Sequence, residues 1–379
     1  MKDIFTANLF FVVSLFLLAW LQFSCAKNES QAYFLIKGNK ANEVELSTIC
    51  DLKNDLAKVC AGEISIISES EKIPSHGIVF ILGTTESNGV LSAMINEGQV
   101  KLSNQNPGPR GGIWTKKRLP NGRQAIVIGG SDVQGLQYAI YDYAHEILGV
   151  DSFEYWTGMV PAKNEYIDLY DFEDRKIEPP KVPILCYFEN DVDELANYRG
   201  NLLEYDWESY TEMINSLVRN RYNAIHFFDM LGRPEFFIRP EYKTLDPDYE
   251  IDMDYVDKMI DYAHLKGMKV QIDFSLGYQI NPFPVEKANC WTKYKEDWIA
   301  AWKYYLEETP LAKTDIFSLR PRHQVWDWEY ESSCGEDKIT IFNEVYEVFG
   351  DLIDQYSPEA TKVLVCYADG MNMFNNGLN

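Results

Sequence analysis

The chain has 379 residues, enough for two domains, and its 46% hydrophobic and 25% charged residues are typical of a globular protein with a large core. Its formal net charge of −23 disfavours nucleic acid as a partner, because an acidic surface repels the phosphate backbone. The charge does not disfavour a neutral or saccharide ligand, for which nine Trp and 24 Tyr offer ring faces, although each is equally well explained as a core residue.

Residues 1–25 have the pattern of a secretory signal peptide. An apolar run from Leu9 to Leu21 leads to Gln22-Phe-Ser-Cys25, and it is too short and wrongly flanked for a spanning helix. The small residue followed by Cys resembles a bacterial lipoprotein cleavage site, with Cys25 as the lipidated residue. The Leu lies one place further from Cys25 than the strict pattern requires, so ordinary secretion stays open. We therefore predict an exported protein, periplasmic or at the cell surface, that meets the membrane only through a lipid anchor.

The other cysteines show no metal-ligand spacing, and the sequence predicts no metal and no cofactor. Two pairs are candidates for disulfides, Cys50 with Cys60 and Cys290 with Cys334. The remaining two lie inside predicted strands, where buried thiols are common; they are Cys186 and Cys366.

Residues 26–172 are predicted to form a small α/β domain with a mixed sheet. A helix from Asn42 to Cys60 has apolar residues at helical spacing, and a second from Gln134 to Leu148 is capped by Ser131 or Asp132. The predicted strands are Tyr33–Ile36, Ile64–Ile67, Gly77–Gly83 and Gln124–Gly130.

The turn from Gly129 to Gly135 joins a strand to a helix, which is where nucleotide-binding folds hold phosphates. Its spacing is not GxGxxG, and no acidic residue follows at the place where a ribose would be bound. We interpret Gly135 instead as the residue that lets the helix pack closely on the sheet.

Residues 173–182 are charged, end in paired prolines and are predicted to be a linker. Beyond them, residues 183–379 repeat short apolar runs that alternate with amphipathic helical segments. Continuous apolar runs predict parallel strands covered by helices, and β/α barrels carry their chemistry at the carboxyl ends of such strands. The predicted strands are Pro183–Asp191, Asn223–Asp229, Met268–Phe274, Asp315–Arg320 and Lys362–Asp369. The sequence therefore predicts the first five units of an incomplete (β/α)8 barrel of the TIM type.

The run from Ile128 to Trp156 carries a motif that supports a family resemblance. It reads G-S-D-x-x-G-x-x-Y-x-I-Y and then L-G-V-x-x-x-x-Y-W. This is similar to the end of the α/β domain that precedes the barrel in α-glucuronidases of glycoside hydrolase families 67 and 115 and in hexosaminidases of family 20. The resemblance is closest to family 115, the xylan α-1,2-glucuronidases.

The second half also resembles family 115 in layout. Asn190-Asp191 matches the pair that ends the family's first strand, Arg320 matches the Arg of the fourth, and Asp369 with Asn372 matches the fifth. The resemblance implies an inverting hydrolase that removes (4-O-methyl)glucuronic acid from xylan.

Two segments depart from the family's pattern. Ser275–Gln279 replaces a His-containing segment, and Pro321–Trp326 replaces a Gly-Asp-Gly-Asp-Glu run. The Asp-Glu pair of family 20 is also missing from the fourth strand. A non-catalytic, carbohydrate-binding surface lipoprotein is therefore the alternative function.

Inverting glycoside hydrolysis needs two carboxylates roughly 6.5–9.5 Å apart, so that a water fits between one of them and the sugar. We predict Asp191 and Asp369 as this pair, with Glu189 as a third catalytic candidate. These acids could instead cap helices or pair with Arg199 and Arg320.

A basic cluster of Arg320, Arg322 and His323 follows the fourth predicted strand of this acidic chain. Its guanidinium groups suit bidentate binding of a uronate carboxylate, and the equal alternative is ion pairing with Asp327 or Glu329. The other predicted substrate-binding residues are Asn190, Asp229, Trp326 and Asn372.

A (β/α)8 barrel closes with eight strands, whereas five are predicted here. The alternatives are a truncated gene product, a fragment completed by another chain, and an open α/β sheet. We favour truncation, which would leave this chain inactive. The expected partner is glucuronoxylan or a related polysaccharide, and a homodimer stays open.

Overall fold

The computed structural model describes residues 31–163, 168–188, 206–227, 253–275, 291–320 and 337–364. They form a six-stranded sheet followed by a five-stranded sheet, each covered by helices. Within these ranges, no helix has an apolar stretch long enough to cross a membrane.

The first sheet is mixed. Its strands are β1 (Ala32–Lys37), β2 (Glu63–Ser68), β3 (Ile78–Thr84), β4 (Gly112–Arg118), β5 (Gln124–Gly130) and β6 (Arg175–Ile177). Their order is β2-β1-β3-β5-β4-β6, and β4 runs antiparallel to both of its neighbours while the other pairs are parallel. The helices of this unit are α1 (Glu43–Val59), α2 (Gly89–Asn96), α3 (Val133–Glu146) and α4 (Glu154–Thr157).

Local chemistry explains where α3 begins and how closely it packs. Asp132 is the N-cap, since its Oδ1 accepts a hydrogen bond from the Gly135 N–H at 2.8 Å. Ser131 instead donates to the carbonyl of Gly111. A Cβ at Gly135 would lie 2.1 Å from the Gly111 carbonyl oxygen, so only glycine allows this approach. The sequence interpretation of Gly135 is confirmed.

A side chain fills the crevice in which doubly wound sheets hold nucleotides, where the chain order reverses between β1 and β3. Asn88 is fully buried there, and its Nδ2 donates to the carbonyls of Ile36 (3.3 Å) and Leu82 (2.9 Å). Its Oδ1 accepts from the Leu91 N–H and so caps α2. The crevice is thus occupied by the protein's own amide.

The second sheet is parallel throughout. Its strands are β7 (Cys186–Phe188), β8 (Ala224–His226), β9 (Lys269–Ser275), β10 (Ile316–Arg320) and β11 (Thr361–Leu364). They lie side by side in chain order. The intervening helices are α5 (Trp207–Arg219), α6 (Met253–Leu265), α7 (Trp291–Glu308) and α8 (Lys338–Tyr356), with a 3-10 turn at Pro310–Lys313. Strands in chain order joined by helices are the arrangement of a (β/α) barrel, and the predicted fold class is confirmed.

Part of the predicted linker belongs to the first sheet. Within residues 173–182, Arg175–Ile177 form β6 and pair with β4. The Ile177 side chain is buried, and Arg175 pairs with Glu146 at 2.7 Å and lies over the Trp114 ring. The charges and prolines that indicate a linker therefore hide a short edge strand, and the domain boundaries themselves stay a prediction.

One hydrophobic core extends through both units, from the helix-covered face of the first sheet to the helices of the second. It contains Leu52 and Leu56 of α1 together with Tyr210 of α5. Cys50 is exposed and Cys60 is buried, and both are free thiols. They are ten residues apart along one helix, a rise of about 15 Å, so the candidate disulfide between them is wrong.

Candidate functional site

The carboxyl ends of the five strands of the second sheet lie along one edge, because the strands are parallel and in register. Phe188 pairs with His226, Ser275 pairs with Arg320, and Leu319 pairs with Leu364. We call this the carboxyl edge of the second sheet. It is the edge at which β/α barrels place their active sites.

Residues alternate between the two faces of these strands. The apolar set that packs against the helices includes Ile225, Val270, Ile272, Phe317 and Leu319, all buried. The intervening positions near the carboxyl edge hold polar residues instead. His226, Gln271 and Ser318 occupy neighbouring strands on this second face, and we call them the polar row.

Hydrogen bonds hold Gln271 and Ser318 of the polar row in place. The Gln271 Nε2 donates to the Ser318 Oγ at 3.0 Å, and that hydroxyl donates in turn to the Ile272 carbonyl at 3.1 Å. Ser318 is fully buried, while Gln271 is partly accessible. The Gln271 side-chain amide is already held by this hydrogen bond. It can therefore bind a ligand hydroxyl with little further loss of side-chain entropy.

His226 is buried with 7% of its surface exposed, and its ring lies 4.8 Å from the Phe188 ring at a 31° tilt. Its place in mid-strand between apolar residues predicts a packed core histidine, and its burial confirms this. It packs, however, on the polar-row face of the sheet and not among the helix-covering residues. His226 therefore belongs to the candidate site, and the signal for this in the sequence is its alternation with Ile225 and Phe227.

Of the residues predicted to act, only Arg320 falls within the described residues. It is the last residue of β10, level with Ser275 of β9 and two positions beyond Ser318. The position is the one that the barrel prediction gives it. The other predicted residues lie outside the described residues: Cys25, Glu189, Asn190, Asp191, Asp229, Arg322, His323, Trp326, Asp369 and Asn372. In the chain, Glu189 directly follows Phe188 of β7.

The opposite, amino end of the second sheet is attached to the first unit. Arg219 ends α5 and makes two hydrogen bonds to the Asp55 carboxylate of α1, at 2.8 and 3.0 Å. Lys266 follows α6 and contacts both carboxylate oxygens of Asp51, at 2.8 and 2.9 Å. Both ion pairs are largely buried. The Tyr141 hydroxyl also donates to Asp51 at 2.8 Å.

Burial shapes the protonation of this junction. It raises the pKa of the Asp55 carboxyl, and the neighbouring Arg219 guanidinium acts in the opposite direction. Burial also raises the pKa of the Tyr141 hydroxyl well above its ordinary value, with Asp51 adding to the shift. Sequence reasoning missed this network, since partners 90 or more residues apart leave no local pattern.

Fold and site together define a class: an α/β unit followed by the β/α units of a barrel whose polar edge faces away from that α/β unit. No family model matches the chain, and no curated protein is significantly similar to it. Solved structures do match. A family GH115 4-O-methyl-alpha-glucuronidase, BtGH115A, with specificity for decorated arabinogalactans, superimposes with a TM-score of 0.63 at 16% identity, over 93% of this chain and 44% of its own.

A second solved structure, CpGH84B, superimposes with a TM-score of 0.50 at 13% identity, over 91% of this chain and 48% of its own. The chain thus spans less than half the length of either structure. The likeness to both structures is one of fold.

Proposed function

We propose that this chain carries the glycosidase-type site of a protein that removes (4-O-methyl)glucuronic acid from plant polysaccharide. The observation that supports this is the carboxyl edge, where five parallel strands in barrel order end beside a polar row. The predicted acids come immediately or shortly after these strands in the sequence. The likeness in fold to a 4-O-methyl-alpha-glucuronidase over 93% of the chain adds support.

The proposed reaction is hydrolysis with inversion. One carboxyl group of the pair Asp191 and Asp369 donates its proton to the glycosidic oxygen as the bond to the anomeric carbon breaks. The other, ionised, accepts a proton from the water whose oxygen attacks that carbon from the opposite face. Arg320 and Arg322 bind the uronate carboxylate, which fixes the sugar between the two acids.

The substrate is proposed by its terminal sugar. Family resemblance in the sequence points to glucuronoxylan, whereas BtGH115A is specific for decorated arabinogalactans. Both polymers present a glucuronic acid branch, and this branch is the shared chemistry. With Cys25 lipidated, the site would meet such polymers outside the cytoplasm.

The test is release of 4-O-methylglucuronic acid by the full chain from glucuronoxylan and from arabinogalactan, and any release would also contradict the expectation that truncation leaves the chain inactive. Asp191→Asn and Asp369→Asn are each expected to lower the rate by about 10²–10⁴-fold. Glu208→Gln, an exposed change on α5, is the matched control and should leave the rate unchanged. Rates in the two Asn variants equal to that of the control would overturn the assignment.

The alternative is carbohydrate binding without hydrolysis. It is favoured by the departures from the family pattern at Ser275–Gln279 and Pro321–Trp326. It predicts that the chain is retained on xylan and that its melting temperature rises with glucuronoxylan oligosaccharides, while no glucuronic acid appears. Sugar release by the unaltered chain contradicts this alternative.

A further inference from the structure

A cleft of about 440 Å³ lies at the junction of the two units. Its walls come from three helices, and its polar lining includes Asn54, Asp55, Glu154, Tyr155, Glu212 and Ser216. Ser216 and Arg219 are in the last turns of α5, which leads into the start of β8. The cleft is therefore at the amino end of the second sheet, away from the carboxyl edge.

Bonds between the three helices hold the walls of the cleft in position. Arg219 of α5 holds Asp55 of α1 with two hydrogen bonds. Lys58 of α1 pairs with Glu154 of α4 at 2.6 Å. The Tyr155 N–H of α4 donates to the Ser216 Oγ of α5 at 3.3 Å, so each of the three helices is bonded to the other two. A preformed site of this kind loses little entropy when a ligand binds.

The charges of the cleft select against anions. Both of its cations, Lys58 and Arg219, already hold carboxylates of the cleft. Glu212 is exposed, and no residue of the described ranges forms an ion pair with it. A bound carboxylate or phosphate would be repelled by the Glu212 carboxylate, whereas hydroxyl groups would find carboxylate and amide acceptors. Among the described residues, no three His, Cys, Asp or Glu side chains are grouped to hold a metal ion.

Exposed apolar and aromatic side chains include Val160 of the lining, and Phe153 and Trp156, which flank the lining residues Glu154 and Tyr155 in the sequence. Phe153 is 52% exposed, Trp156 46% and Val160 66%, although large apolar side chains are normally buried. The Trp156 and Tyr155 rings meet edge to face, with centroids 5.0 Å apart. Rings beside a groove of hydroxyl acceptors suit a sugar, which has apolar C–H faces and a polar edge.

We propose that this junction cleft is a second saccharide-binding site, which takes a neutral oligosaccharide such as an undecorated stretch of polysaccharide backbone. The choice of a saccharide rests on the proposed function, whereas the preference for a neutral ligand rests on the charges of the cleft. The two sites divide the polymer between them: the carboxyl edge takes the charged branch, and the cleft takes the uncharged chain.

The test measures binding of xylohexaose and of a neutral arabinogalactan oligosaccharide to the full chain by calorimetry. Asn54→Trp places a large side chain in the cleft from an exposed helix position and is expected to weaken binding at least tenfold. Lys53→Trp, the neighbouring exposed position outside the cleft lining, is the matched control and should bind as the unaltered chain does. Glu212→Ala should also weaken binding, while Glu208→Ala should not.

Each outcome separates this inference from the proposed function. Equal affinity of Asn54→Trp and Lys53→Trp, or no binding by the unaltered chain at millimolar sugar, overturns the cleft as a saccharide site. Tighter binding of an oligosaccharide that carries glucuronic acid, lost in Asn54→Trp, overturns its preference for neutral ligands. If Asn54→Trp loses binding while Asp191→Asn and Asp369→Asn still release glucuronic acid, the cleft stands and the proposed catalytic pair fails.

Discussion

The two ends of the second sheet are built differently. At the amino end, charged side chains are buried and are paired with carboxylates of the first unit, as in Arg219 with Asp55 and Lys266 with Asp51. At the carboxyl edge, Gln271 and Ser318 of the polar row are held by neutral hydrogen bonds within the sheet, and the predicted acids follow the strands in the sequence. The first unit therefore stabilises the second sheet at its amino end. It leaves accessible the carboxyl edge, where β/α barrels place their active sites.

The largest effect is expected at the amino end, from Arg219→Ala. This change leaves the Asp55 carboxylate buried without its cation and should lower the free energy of unfolding by about 3–5 kcal/mol, measured by urea denaturation. The control is Lys295→Ala, which removes a surface pair with Glu344 and should cost under about 1 kcal/mol. The double change Asp55→Leu with Arg219→Met should restore most of the loss. Equal costs for Arg219→Ala and Lys295→Ala would show that the junction does not stabilise the chain.

Gly135→Ala tests whether the stability of the first unit depends on the close packing of α3 against its sheet. The added Cβ would lie 2.1 Å from the Gly111 carbonyl oxygen, so α3 must shift from the sheet at a cost of about 1–3 kcal/mol. Gly350→Ala is the control with the opposite sign. Gly350 lies within helix α8, where an added Cβ would meet nothing nearer than the Lys362 side chain at 3.9 Å, and the change should stabilise by about 0.5–1 kcal/mol. Chemical denaturation of both variants measures these changes in the free energy of unfolding. A Gly135→Ala variant more stable than the unaltered chain would contradict the packing argument.

Asp315 gives the amino end a dependence on pH. Its Oδ2 accepts hydrogen bonds from the His264 Nε2 at 2.9 Å and the Val270 N–H at 2.8 Å. Burial raises the pKa of Asp315, but these bonds outweigh burial and lower it. The native state therefore favours the ionised form. Its contribution is present above the unfolded pKa of about 4 and is lost as pH falls through the lower folded value.

Asp315→Asn is accordingly expected to cost about 1 kcal/mol at pH 7 and progressively less below about pH 4. The measurement is urea unfolding of both proteins between pH 7 and pH 2.5. A cost that stays constant over this range would mean that the Asp315 carboxylate is not preferentially stabilised in the folded chain.

The smallest effect on stability is expected at the carboxyl edge, from Gln271→Ala. Loss of one hydrogen bond to Ser318, whose hydroxyl keeps its bond to the Ile272 carbonyl, should cost under about 1 kcal/mol. Glucuronic acid release should nevertheless fall at least tenfold, if the polar row holds the substrate. Lys269→Ala, an exposed position two residues nearer the amino end of β9, should keep full activity. A Gln271→Ala variant with full activity would remove the polar row from the site.

Much of the secondary structure follows from local sequence. Asp132, one of the two caps predicted for α3, is its N-cap, and Asp206 caps α5 and Gly267 follows the end of α6 in the same way, because each acts through its own or adjacent backbone. Strand β4 and helix α2 were not predicted. In β4, Lys116, Lys117 and Arg118 mask the apolar half of the strand, which forms because β5 supplies its hydrogen bonds.

The sequence by itself determined the class of fold and, through the barrel prediction, the order of the strands in the second sheet, since apolar runs and helical spacing are local signals. It also placed the candidate acids after strand ends, and their roles at the carboxyl edge stay a prediction. Only the tertiary structure decided which residues meet across the chain. The pairs of Asp55 with Arg219 and of Asp51 with Lys266, the polar row and the junction cleft join residues that are distant in sequence. Folding creates these features by burying and pairing side chains from distant segments, which no single position in the sequence encodes.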